Sequence, residues 1–130
     1  CELVRNPLFI AGVSIYWGEG DKGLSSNVRV SNIDARLLKV FSDFLKVCCK
    51  VPEDKIKTHM ILYPDLSEEE CKDYWKKSVG LIDGQFYKTQ VIAGRHKKRK
   101  LSYGICVIET SSRQLKEKLL VWVEKLSQAV

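Results

Sequence analysis

The chain has 130 residues, 45% hydrophobic and 29% charged, enough to build one domain around its own core. No apolar run approaches the roughly 18 residues that cross a bilayer, and no basic segment leads into an apolar stretch with a cleavage site, so a cytoplasmic location is expected. Lys and Arg number 22 against 16 Asp and Glu, and the net charge of +6 suits a polyanionic partner.

Asn6-Pro7 is a helix start, with Asn as cap and Pro at the first helical position, and the apolar run Leu8 to Trp17 follows it until Gly18 and Gly20. Asn27 to Ser31 alternates with period two, which predicts a strand burying Val28 and Val30. From Asp34 to Cys49, Leu37, Leu38, Phe41, Phe44, Leu45 and Cys48 recur at helical spacing. A turn at Val51 to Asp54 leads into Lys55 to Tyr63, where Ile56, Met60 and Leu62 alternate with Lys55, Lys57 and His59, a half-buried strand with a basic outer side.

Pro64 ends that strand, and Ser67 with Glu70 three residues on forms a capping box for a third, shorter helix. Two more strands, Gln85 to Ile92 and Leu101 to Thr110, read as a hairpin, and a last helix starts near Ser111 or Ser112 with Leu115, Leu119, Trp122, Val123 and Leu126 on its core side. The expected fold is α+β, an antiparallel sheet with helices on one face and room for a further strand in residues 20–26. Trp17, Trp75 and Trp122 are expected in the core.

The five cysteines are odd in number and form no metal-ligand spacing with His59 or His96, so they read as reduced small hydrophobes. The chain opens on Cys1 rather than methionine, which leaves room for an upstream domain. Between Asp83 and Glu109 there is no acidic residue, while Lys88, Arg95, Lys97, Lys98, Arg99 and Lys100 fall there, a local field for a polyanion.

Gly12-Val13-Ser14-Ile15-Tyr16-Trp17-Gly18-Glu19-Gly20 resembles the nine-residue signature of the LAGLIDADG homing endonucleases, with Ser14 and Gly18 four apart and an acidic residue before the final Gly. The order of elements can be laid over the family's αββαββα arrangement across residues 6–130. The resemblance implies that the motif helix packs against its copy in a homodimer through Gly12, Ser14, Ile15 and Gly18. It also implies that Glu19, with the carbonyl of Gly20, faces Mg2+ or Mn2+ beneath double-stranded DNA, with Lys98 or Lys100 assisting the attacking water. Trp17 stands where the family has its first acidic residue. Gly80-Leu81-Ile82-Asp83-Gly84 matches by letter but lacks a preceding apolar helix.

The family lays its sheet in the major groove. By alternation Arg29, Lys55, Lys57, His59 and Lys88 are the candidates for base and phosphate contacts, and Arg95, His96, Lys97, Lys98, Arg99 and Lys100 for flanking phosphates. Two functions fit: a magnesium-dependent double-strand endonuclease, and a DNA-binding regulatory module without cleavage. An RNA-binding domain is a third.

Overall fold

The computed structural model describes residues 5–93 and 103–130. Among the described residues four α-helices and four strands follow in the order α1 (Pro7–Glu19), β1 (Asn27–Asn32), α2 (Ala35–Val47), β2 (Lys57–Leu62), α3 (Glu68–Val79), β3 (Phe86–Val91), β4 (Ile105–Ser111) and α4 (Arg113–Ala129). Short 3-10 turns lie at Glu53–Lys55 and Asp83–Gln85. Among the described residues no helix is long and apolar enough to cross a membrane.

Each helix starts where a side chain satisfies an otherwise orphaned backbone N–H. Asn6 accepts from the Leu8 amide at 2.9 Å, Asp34 from Arg36 at 2.9 Å, Ser67 from Glu70 at 3.3 Å and Ser112 from Leu115 at 3.1 Å. α3 ends on Gly80 in the left-handed region (φ 84°), where a side chain would be strained.

The strand order is β1-β4-β2-β3. β4 pairs antiparallel with both β1 and β2, while β2 and β3 run parallel. The protein is therefore α+β with a mixed, open sheet, and the expected antiparallel sheet and β3–β4 hairpin are corrected. The physical reason is burial. Cys106, Val107, Ile108, Glu109 and Thr110 are all buried, as in a central strand with a neighbour on each side, whereas β3 is exposed at Tyr87, Lys88, Gln90 and Val91 and takes the edge.

The crossovers β1-α2-β2 and β2-α3-β3 join parallel strands and step across the sheet in the same direction, so right-handed connections put α2 and α3 on one face. There Val28, Val30, Met60, Leu62, Cys106 and Ile108 meet Phe9, Val13, Tyr16, Leu38, Phe41, Phe44, Trp75 and Leu119 in one core. Phe41, Phe44 and Trp75 are wholly buried, and burial of each contributes about 2–3 kcal/mol of transfer free energy. Trp122 packs partly buried against Phe9, with ring centroids 5.0 Å apart. Trp17, expected in the core, is 44% exposed.

Candidate nucleic-acid interface

Because side chains alternate across a strand, the residues between the core positions share the other face of the sheet. One row crosses it as Arg29, Glu109 and Lys57, and the next as Ser31, Val107, His59 and Lys88. Arg29, Lys57, His59 and Lys88 therefore share a face, as alternation implied. Lys55 is not in the strand: it closes the 3-10 turn before it.

At the centre of this face is a polar cluster. Arg29 Nε donates to Glu109 Oε2 at 2.8 Å, and the Tyr87 hydroxyl donates to Glu109 Oε1. With that proton committed, the Tyr87 oxygen accepts from His59 Nδ1 at 3.1 Å, which fixes the tautomer and leaves Nε2 as an acceptor. The Tyr87 and His59 rings meet edge-on at 5.4 Å, and Lys88 Nζ stands 5.5 Å from the Tyr87 ring centroid. His59 is only 6% exposed, so it buttresses the face and does not project from it as alternation alone suggested.

Protonation follows from these contacts. Burial raises the Glu109 carboxyl, but the hydrogen bonds from Tyr87 and Arg29 and the nearby charges outweigh it, holding the group below the ordinary range. Burial lowers His59 more than Glu109 raises it, so the ring is neutral at pH 7. Burial, then the Glu109 carboxylate, pushes Tyr87 up to about 12.

For His59 and Glu109 the unfolded chain binds more protons, so their contribution is present above the unfolded values of 6.5 and 4.5 and is lost as pH falls below them. For Tyr87 the sign is reversed: the contribution is present below 10.0 and lost as pH rises towards about 12. We expect Tyr87→Phe, which removes a donor to a carboxylate, to cost about 1.5 kcal/mol near neutrality. The difference between it and the wild type should shrink above pH 10.0. Urea unfolding across pH checks both, and a difference that does not change with pH would show that Tyr87 does not hold the cluster.

The end of α1 is the second place to which the sequence pointed. Glu19 is its last residue and is exposed. Asp21 is a turn residue: it accepts from the Gly23 amide at 2.9 Å and the Ser25 hydroxyl at 3.4 Å, and its carboxyl is lowered chiefly by that amide. Lys22 Nζ sits on the carbonyls of Gly20 (2.8 Å) and Trp17 (2.9 Å), with that of Tyr16 at 3.4 Å. An ammonium there suits the negative end of the helix dipole. It also stands on the Gly20 carbonyl assigned to a divalent cation, so the protomer as folded does not fit that cation at this atom. Among the described residues no group of three or more His, Cys, Asp or Glu could hold a metal.

The four small or apolar positions proposed for a helix pair separate into two sides of α1. Gly12 is buried, and a Cβ there would lie 2.0 Å from Phe44 Cγ, so its smallness serves the α1–α2 contact and not an outward face. Ser14 and Gly18 are exposed, and a Cβ at Gly18 would meet nothing within 4 Å. Ile15 is half-buried at the edge of the core.

Arg95, His96, Lys97, Lys98, Arg99 and Lys100 lie outside the described residues. Sequence reasoning missed Glu109, Tyr87 and Lys22. The signal for Glu109 was present, as the single carboxylate in a long basic and apolar stretch, but its partners are set by strand register. No family model matches the chain, and neither curated proteins nor solved structures give a match.

Proposed function

We propose that the chain is a double-stranded-DNA-binding domain on a LAGLIDADG-like plan that acts as a homodimer through α1. The observation that carries this reading is the face of the sheet opposite the core, where Arg29, Lys57 and Lys88 surround a carboxylate already committed to Arg29 and Tyr87. Phosphates would meet lysines, and Arg29, held through Nε, keeps its terminal nitrogens for a base edge or phosphate. A rudimentary strand before β1, where Gly20 bridges Val30 and the Asp21 amide donates to the Arg29 carbonyl at 2.9 Å, agrees with the first strand pair of the family plan, while the parallel β2-α3-β3 crossover departs from it.

An endonuclease dependent on Mg2+ or Mn2+ would need Glu19 and the Gly20 carbonyl of both protomers to share the cation. Lys22 on that carbonyl favours binding without cleavage.

The test is fluorescence anisotropy on duplex DNA over a salt series, beside plasmid incubation with Mg2+ and Mn2+. Binding is expected to weaken linearly in log salt, with a slope of about −0.9 per phosphate neutralised. Affinity that ignores salt, or preference for single-stranded RNA over duplex, would sink the reading. Plasmid linearised by the wild type and left intact by Glu19→Gln would establish the endonuclease instead.

A further inference from the structure

A cleft of about 590 Å³ lies at the end of the sheet, between the segment after α2 and the start of α4. Lys50, Lys55, Lys57 and Lys118 line it, with the hydroxyl residues Ser111 and Ser112. No aspartate or glutamate is among its lining residues.

What gives the cleft meaning is four lysines converging on one concavity with no carboxylate in its lining. On the helices Lys39 pairs with Asp43, Lys77 with Asp73, and Lys72 and Lys76 with Asp83. Among the described residues, the four lysines of the cleft have no ion pair. Four like charges around one concavity repel one another, and a bound anion relieves that repulsion. Lys50 stands just past α2 with its backbone in the left-handed region (φ 58°), where the Val51 amide donates to the Leu45 carbonyl at 2.9 Å and closes the helix end. Cys49, also at the cleft, is pushed up to about 12 by burial and then by Cys48, so it stays a neutral thiol and adds no competing anion.

We propose that this cleft is a phosphate-binding site, taking either a backbone phosphate of DNA or a phosphate of a free oligophosphate. Lys57 belongs to both the cleft and the open sheet face, so a duplex on that face would run its backbone towards the cleft. The DNA source rests on the function proposed above, while the phosphate chemistry does not.

The experiment uses tripolyphosphate and duplex DNA as separate probes on the whole chain. The variant is Lys50→Gln with Lys118→Gln, both exposed, and the control is Lys39→Gln with Lys125→Gln, which removes the same charge away from the cleft. Tripolyphosphate should shift amide resonances of residues 49–57 and 110–118. Its affinity should fall at least tenfold in the variant and not in the control. If DNA supplies the phosphate, the salt slope for duplex binding falls by about 2, close to one per lysine. An unchanged slope with the tripolyphosphate effect intact supports a free oligophosphate. No duplex binding by the wild type with that effect intact overturns the DNA reading and supports the site. Equal weakening by both double variants, or shifts spread over all basic surfaces, would overturn it.

Discussion

Gly12→Ala is expected to destabilise the protomer by about 3 kcal/mol, although alanine is the better helix former by about 1 kcal/mol. The new methyl carbon would stand 2.0 Å from Phe44 Cγ, 2.2 Å from Cδ1 and 2.6 Å from Cδ2. These are the root and near edge of a wholly buried ring, wedged between Phe9 and Phe41 at centroid distances of 6.0 and 5.8 Å. A ring held on both sides cannot swing away as the tip of a long side chain would, so α1 and α2 must separate and their apolar contact is lost. Urea or thermal unfolding of the variant measures the effect. A midpoint equal to or above the wild type would mean that helix propensity wins and the two helices are less tightly apposed. A second variant, Phe44→Leu with Gly12→Ala, should recover part of the loss, because the smaller side chain vacates the space the methyl group needs.

The position of Gly12 shows where sequence reasoning was strong and where it was blind. Asn6-Pro7 and Ser67 named their helix starts correctly because a cap is a local device, settled within three residues. The core faces of α2 and α4 were legible from spacing for the same reason. Gly12 and Gly18 are both glycines in one apolar helix, yet one touches Phe44 and the other touches nothing within 4 Å. α1 offers no polar stripe to tell its sides apart, and only tertiary contact separates them. Sheet pairing failed in a similar way. A hairpin between β3 and β4 is the shortest connection, but β4 is apolar from Ile105 to Ile108 without alternation, the mark of a central strand. Its insertion between β1 and β2 brings Glu109 beside Arg29 and, through β3, under Tyr87. That cluster joins residues 80 and 22 positions apart in sequence, so no local pattern announces it.

The composition of α1 leads to the other large expected effect. The helix carries no charge before Glu19, and its buried residues are Phe9, Gly12, Val13 and Tyr16. Its other side leaves Ser14 and Gly18 exposed and Trp17 44% exposed. A helix that is apolar all round is suited to burial all round, and small residues four apart allow two backbones to approach. Under the homodimer proposed above, Gly18→Leu should leave the protomer folded, since its side chain enters open space, while driving the two copies apart. Each protomer would then hold DNA with one sheet instead of two, and duplex affinity should fall by about 10² or more through lost effective concentration. Sedimentation equilibrium with anisotropy on duplex DNA checks both parts. Wild-type association and affinity in Gly18→Leu would place the contact elsewhere. The paired helix ends also bear on metal: two Glu19 carboxylates brought to one axis would repel, but each end carries its own Lys22 ammonium on the carbonyls of Trp17 and Gly20. Two charges of each sign cancel there without an added cation. The dimer is therefore expected to be equally stable in Mg2+ and in EDTA, whereas Lys22→Met should make its assembly depend on a divalent ion.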